Sequence, residues 1–300
     1  MATKSAFVTI IGRANAGKSS LLNSLVGEKI AAVSSKPQTT RTKITGVLTK
    51  GDTQFVFIDT PGMHKARTKL SEHMVKTINE SVKSVDLIIF MADASKNISD
   101  SETALLNNIN SKKSKVILCI NKIDLVSKDA LIKKMAEYST LLDFAEIIPI
   151  SVINNDGLDL IMDFLEKNAE EGPHYFSDDA ITDQPEKVLI AEKIREKALL
   201  CLDDEVPHGI AVGIEDVSEH DNRHGEAIMD IDAVIYCERD SHKGIIIGKQ
   251  GSMLKKIGQA SREELEGFFQ IKVNLKCWVK VKEGWRNREG LIKNFGLSYK

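Results

Sequence analysis

The sequence predicts an α/β domain with a mixed, mostly parallel sheet, followed by a smaller α+β domain. Three observations carry that expectation. Short apolar runs at residues 6–11, 53–59, 86–92, 115–120 and 146–150 alternate with amphipathic helical patterns. This is the rhythm of parallel strands joined by crossover helices. The rhythm ends with a helical run at 158–166, and a polar stretch with Gly172, Pro173 and Pro185 follows. Beyond it the order changes to helix (187–202), two strands (208–217 and 227–237), two helices (241–247 and 252–266) and a strand (271–281). The expected boundaries are a first domain over 1–172, a linker over 173–185, and a second domain over 186–300 ending in a basic tail. Residues 45–50 run into 53–59 through Gly51-Asp52, which reads as a hairpin, so one strand of the first sheet is expected to be antiparallel.

Bulk properties narrow the class. With 42% hydrophobic and 28% charged residues in 300, the chain has an ordinary globular composition. Its longest apolar runs are too short to span a bilayer, and residues 1–12 lack the apolar core of a signal peptide. The four cysteines form no CxxC pair, and the seven histidines form no HxxxH or HExxH pattern. Free thiols in a reducing cytoplasm are expected, and zinc chemistry is not. A net charge of −2 means that any nucleic-acid binding must come from a local basic surface.

The chemistry concentrates in the first domain. Gly12-Arg13-Ala14-Asn15-Ala16-Gly17-Lys18-Ser19 matches GxxxxGK[ST], with the apolar strand ahead of it and a helical run at 20–25 behind. Glycines let the backbone curl so that successive N–H groups face phosphate oxygens, and the helix N-terminus adds a favourable dipole. Lys18 is expected to reach the β- and γ-phosphates and Ser19 to bind Mg²⁺. Residues 12–20, including Ser20, form the expected phosphate-binding set.

Asn121-Lys122-Ile123-Asp124 follows the apolar strand at 115–120 and selects the base. A carboxylate at Asp124 can accept two hydrogen bonds from N1–H and the 2-amino group of guanine. Adenine offers neither donor there, and the buried carboxylate would be left unpaired. Asn121 is expected to touch the purine edge and steady the loops, with the Lys122 stem covering the base. Ser151-Val152, after the last apolar strand, can offer a backbone N–H to the guanine carbonyl. Asp59-Thr60-Pro61-Gly62 ends another apolar strand. Asp59 can hold Mg²⁺ through water, and the Gly62 N–H can meet the γ-phosphate. Between these motifs lies Lys36-Pro37-Gln38-Thr39-Thr40-Arg41, in which Thr40 is the candidate for a second Mg²⁺ hydroxyl. This order is that of a translation-factor-like GTPase, with residues 30–41 and 62–69 as the expected switch segments.

The second domain carries Gly248-Lys249-Gln250-Gly251. GxxG alone is uninformative, since 19 glycines in 300 residues give about one such spacing by chance. Its flanks raise it: 244–247 before, and 252–257 with Met253, Leu254 and Ile257 after. Two short amphipathic helices joined by GxxG, in an αββααβ order, make the KH arrangement, whose loop clamps about four nucleotides of a single strand. Lys249 can supply a phosphate contact. The apolar helix positions read better as core than as base contacts. From residue 272 eight basic residues face only Glu283 and Glu289, with Trp278 and Trp285 interleaved. These tryptophans suit base stacking or strand packing. The expected RNA-binding set is Gly248, Lys249, Gln250, Gly251, Lys255, Lys280, Arg286 and Arg288.

GRxNxGKS, KPQTTR, DTPG and NKID, together with the C-terminal IIIGKQG, resemble the Era family of bacterial GTPases from about residue 5 to the tryptophan region. The resemblance implies a P-loop G domain joined to a type II KH domain. It implies binding near the 3′ end of small-subunit (16S) ribosomal RNA, help in 30S subunit assembly, and peripheral membrane association of a cytoplasmic protein, here expected as a monomer. Ala14 and Ala16 stand where the family usually has Pro and Val; both keep the backbone donors. Ser151-Val152 replaces the common Ser-Ala. Met63 follows DTPG where Ras-like enzymes place a Gln that orients the attacking water, so intrinsic hydrolysis is expected to be slow. Asn15 occupies a position that the family associates with an activating K⁺ ion in place of an arginine finger. The expected catalytic group is Lys18, Asn15, Thr40 and Gly62, with Ser19, Thr40 and Asp59 on the metal.

Two rivals stand beside a GTP-hydrolysing, RNA-binding switch. One is a GTPase of RNA modification or membrane transport, which needs an extra chemical site or transmembrane helices. The other is an RNA-binding module that holds GTP with negligible turnover, a reading that Met63 keeps open.

Overall fold

The computed structural model describes residues 2–36, 38–62, 68–83, 85–109 and 114–297. The chain divides into two compact units. The first comprises 1–30, 40–67 and 71–183; the second comprises 184–300 with 31–39 and 68–70.

The first unit is built on a sheet in the order β2-β3-β1-β4-β5-β6. Its strands are β1 (Lys4–Gly12), β2 (Ile44–Lys50), β3 (Thr53–Asp59), β4 (Leu87–Asp93), β5 (Lys115–Asn121) and β6 (Glu146–Pro149). β1 pairs parallel with β3 and β4, and β4–β5–β6 continue parallel. β2 pairs antiparallel with β3 from Ile44↔Asp59 to Lys50↔Thr53, the hairpin expected from Gly51-Asp52. A two-residue β7 (Glu170–Glu171) pairs antiparallel with the start of β1. β4 is buried at every position because both faces of a parallel sheet are covered. The helices are α1 (Lys18–Val26), α2 (Lys69–Lys83), α3 (Asp100–Asn108), α4 (Lys128–Ser139) and α5 (Leu158–Asn168). α1 starts directly at the end of the phosphate-loop motif and stops at Gly27, whose left-handed backbone donates its N–H to the Asn23 carbonyl. α3 starts on a capping box: the Glu102 amide donates to Ser99 Oγ, and the Ser99 amide donates to the Glu102 carboxylate. Because five strands run parallel, the loops after β1, β3, β4, β5 and β6 open at one edge, the usual ligand edge of such sheets.

Residues after β7 pack along the first unit. Gln54 Oε1 accepts from the amides of Tyr175 and Phe176, the Tyr175 ring meets Phe7 edge-on, and the Val47 amide donates to the Ile181 carbonyl.

The second unit has α6 (Glu186–Cys201), β8 (Ala211–Asp221), β9 (Ala227–Cys237), α7 (Asp240–Ile247), α8 (Ser252–Phe269), β10 (Lys272–Val281) and α9 (Glu289–Asn294). The first six elements give the αββααβ order. The sheet order is β10-β9-β8, with β10 parallel and β8 antiparallel to β9. Ile190, Ile194, Met229, Ile231, Ile235, Ile246, Ile257 and Leu265 form its core. Among the described residues no helix is long and apolar enough to cross a membrane.

Candidate nucleotide site and nucleic-acid groove

The loop from Gly12 to Ser19 lies between β1 and α1. Its glycines are required by space. A Cβ at Gly12 would stand 2.2 Å from the Met91 carbonyl oxygen, and one at Gly17 2.2 Å from Asn121 Nδ2; both residues have positive φ. Asn15 also adopts a left-handed backbone and is exposed, whereas Ala16 is buried. Gly62 comes against this loop from β3: its Cβ would lie 2.6 Å from Ala14 Cα. Here a close backbone approach, not a positive φ, demands glycine.

Lys18, Ser19, Thr40 and Asp59 meet at the centre. Asp59 Oδ2 accepts from Ser19 Oγ at 2.6 Å and from Thr40 Oγ1 at 3.3 Å, and the two hydroxyls are 2.8 Å apart. Asp59 Oδ1 is buried without a hydrogen-bond partner among the described residues. Burial pushes the Asp59 carboxyl up from its ordinary value, against the lowering effect of the Lys18 charge and the two hydroxyls. Burial likewise pushes Lys18 down, opposed by Asp59. Lys18 Nζ donates to the Arg13 carbonyl at 3.0 Å. Both charges sit in a desolvated place that favours their neutral forms, so a phosphate near Lys18 and a cation near Asp59 would stabilise each. The donor set of one carboxylate and two hydroxyls is hard oxygen, which suits Mg²⁺.

Asn121, at the end of β5, clasps the loops. Its Nδ2 donates to the Ala16 carbonyl at 2.8 Å, and its Oδ1 accepts from the amides of Lys122 and Val152. Asp124 Oδ1 accepts from Ser151 Oγ at 2.6 Å, which joins the Asn121–Asp124 motif to Ser151-Val152. Lys122 has a left-handed backbone, and its Nζ reaches Asp93 Oδ2 at 2.7 Å. Asp93 was not singled out by its sequence pattern. It ends β4 beside Asn121 in the β5 register, and a carboxylate at the C-terminal end of a buried parallel strand is the signal that could have found it. Its burial raises the carboxyl, but the bonds from Lys122 and Ser95 outweigh this and hold it below the ordinary value. Met63 lies outside the described residues, as do Pro37 and 64–67 of the expected switch segments.

In the second unit, Gly248 to Gly251 join α7 to α8. Gly248 has φ +73°, and a Cβ there would collide with the Met253 backbone at 2.8 Å. Lys249 and Gln250 are exposed at the tip, with Gln250 left-handed. A groove runs from this loop along α8 to β10, lined by Gly251, Leu254, Lys255, Gly258, Arg262 and Cys277 among others. Arg262 was missed in the sequence because it lies about three turns beyond the motif, 11 residues after Gly251 on α8.

The basic residues of the tail are partly answered by acids on neighbouring elements, and its two tryptophans differ in exposure. Trp285 is fully buried and donates Nε1–H to the Gly209 carbonyl at 2.8 Å, so its role is packing and not base stacking. Trp278 is 44% exposed. Lys280 pairs with Glu215 at 2.7 Å and Arg286 with Glu238. Neither they nor Arg288 line the groove. Counting charge along the chain missed these acids because they stand on neighbouring elements.

A strand–P-loop–helix unit with a guanine-reading motif, followed by a KH arrangement, defines a two-domain GTP-binding protein. Comparisons with known proteins agree. A family described as 50S ribosome-binding GTPase matches residues 7–122, and the KH domain family matches 205–286. GTPase Era of Ruminiclostridium cellulolyticum is 50% identical over 296 residues, 99% of this chain and 98% of the relative. GTPase Era of Clostridioides difficile is 51% identical over 298 residues, 99% of each chain. A variant of Aquifex aeolicus Era bound to GDP.AlF4- superposes with a TM-score of 0.93 at 36% identity, covering 99% of this chain and 100% of that one. Era in complex with MgGDPNP and nucleotides 1506–1542 of 16S ribosomal RNA gives 0.92, also at 36% identity and with the same coverage. The chain belongs to the Era family of GTPases.

Proposed function

We propose that this chain hydrolyses GTP to GDP at the loops described above, binds a single-stranded region near the 3′ end of 16S ribosomal RNA through the GxxG groove, and assists 30S subunit assembly. The observation that carries this reading is full-length similarity to the Era structure with MgGDPNP and 16S nucleotides, in a chain whose own phosphate loop, guanine motif and GxxG loop are all intact.

In this reading the amides of residues 12–20 and Lys18 cradle the phosphates, and Asp124 reads guanine while Asn121 and Val152 hold the loop around it. Ser19, Thr40 and Asp59 hold Mg²⁺, which supplies charge neutralisation at the β- and γ-phosphates. The Gly62 amide meets the γ-phosphate and so reports its presence. Water attacks the γ-phosphorus, the bond to the β–γ bridging oxygen breaks, and GDP and phosphate leave. K⁺ as an activator beside Asn15, which is exposed in the loop, is carried over from the family resemblance. The cysteines are unpaired, which supports a reducing cytoplasm. The chain works there as a monomer, with peripheral membrane association carried over from the family.

Crosslinking in cells followed by sequencing of the attached RNA tests the partner. Enrichment of the 3′ end of 16S RNA is expected; enrichment of transfer RNA or of no small-subunit RNA would overturn it. Phosphate release that is measurable with Mg²⁺ and lost in chelator is expected in parallel. Tight GTP binding without release would favour the passive-module reading.

A further inference from the structure

Glu102 is 0% exposed, an unusual state for a glutamate on the first turn of a helix. A capping box needs one carboxylate oxygen and normally leaves the other in water. Here Oε2 accepts from the Ser99 amide at 2.9 Å and from Ser99 Oγ at 2.8 Å. The other oxygen, Oε1, accepts from Tyr138 Oη at 3.2 Å, and Tyr138 is itself 1% exposed. The only cation paired with this carboxylate among the described residues is Arg13, whose Nη1 stands 3.8 Å from Oε2. The same Nη1 donates to the Asn97 carbonyl at 3.3 Å, just ahead of α3.

Arg13 therefore faces two ways. Its side chain is gripped by the start of α3, and its carbonyl accepts from Lys18 Nζ and the Ala16 amide inside the phosphate loop. We infer that Glu102 is a positioning residue for the nucleotide site: it holds the phosphate loop from outside, through the guanidinium of Arg13. This rests on residues 12–20 being the phosphate loop. Burying a full carboxylate is costly unless its charge is compensated, and an ion pair that anchors a loop otherwise free to relax is a reason to keep it. Phosphate-loop contacts are common to GDP and GTP, so loosening the loop should weaken both nucleotides alike and raise KM more than it lowers kcat.

The test is fluorescent-GDP affinity, GTP affinity, KM and kcat for Glu102→Gln, Arg13→Met, their double variant, and Ser99→Ala. Glu102→Gln keeps the size and a hydrogen-bonding end but removes the charge facing Arg13. It should weaken GDP and GTP by a common factor of about five to ten, raise KM by a similar factor, and leave kcat within about twofold. Arg13→Met should give the same loss, and the double variant no more than either single change. Ser99→Ala removes the cap while leaving the Arg13 pair. It should lower the melting temperature without changing nucleotide affinity. Glu102→Gln that binds GDP as the parent does, or a double variant whose losses add, would overturn the inference. If Glu102→Gln does not fold, Arg13→Met decides alone: parental affinity in that variant overturns it. A parent chain that fails to bind fluorescent GDP would overturn the phosphate-loop reading itself.

Discussion

In the first unit, Lys18, Asp59, Asn121 and Ser151 are each less than a tenth exposed and bonded to partners within the site. In the second, Lys249, Gln250 and Lys255 stand in solvent beside an open groove. Selectivity therefore has a different physical source in each unit. Lys18, Asp59, Asn121 and Ser151 are desolvated and aimed in advance, so one wrong group among them leaves a buried partner unpaired, and the cost is steep; Asp124 is exposed and is held by its bond from Ser151. In the proposed function the groove would work by backbone access and exposed charge, so each residue would contribute modestly and salt would compete with all of them.

The largest expected effect sharpens that contrast. Asp124→Asn should weaken GTP binding at least about a hundredfold, since a site built for a donor pair rejects what it cannot pair. The amide presents N–H where xanthine offers a carbonyl, so XTP should gain. Competition against a fluorescent guanine nucleotide measures both; XTP remaining weaker than GTP in the variant would remove Asp124 as the base reader. Next comes turnover. Replacing K⁺ by Na⁺ at matched ionic strength should slow phosphate release at least about tenfold, a fraction of an arginine finger's worth, with GTP affinity little changed. Equal rates would point to a group supplied by a partner.

A smaller effect concerns Asp93, which ties Lys122 in place. Its folded-state carboxyl lies below the ordinary value. Its stabilising contribution is therefore complete above the unfolded Asp value of about 3.9 and is lost as pH falls through the lower folded value. Asp93→Asn should cost about 1–2 kcal/mol at pH 7. That difference should shrink as urea midpoints are taken at progressively lower pH. A constant difference down to pH 3 would deny the ion pair its role. The smallest effect belongs to the groove: Lys249→Gln should flatten the salt dependence of single-stranded RNA binding by about 0.7 in the log–log slope, one phosphate contact. An unchanged slope would place Lys249 off the RNA.

Much of the first unit was legible in the sequence because its motifs are local. Gly12 to Ser19, Asp59 to Gly62 and Asn121 to Asp124 each end a buried strand, and alternation of strands with helices was enough to bring those ends to one edge. The hairpin at Gly51-Asp52 was legible for the same reason. What was not legible depends on neighbours distant in sequence. Asp93 reveals its role only through Lys122, 29 residues on, and Glu102 only through Arg13, 89 residues earlier. In the second unit the helix and strand order was readable from periodicity, and Gly248 was readable from its place between two helices. The surroundings of the tail were not legible. Trp285 lies in the core, and Lys280 and Arg286 are answered by Glu215 and Glu238, which no count along residues 272–300 includes. Local order fixes a phosphate loop; a charged surface is set by whichever strands the fold lays side by side.

In the proposed function, guanine nucleotide and RNA are held by separate units, each by its own motif. The most direct measurement is made on one protein, with Lys249→Asp and Gln250→Asp combined. Both positions are exposed at the loop tip, so circular dichroism should match the parent. Two carboxylates facing phosphates should abolish binding of a short single-stranded RNA from the 3′ end of 16S RNA in a gel-shift titration. Affinity for GTP should stay at the parent value. RNA binding equal to the parent at matched salt would show the GxxG loop to be an ordinary turn and contradict the account.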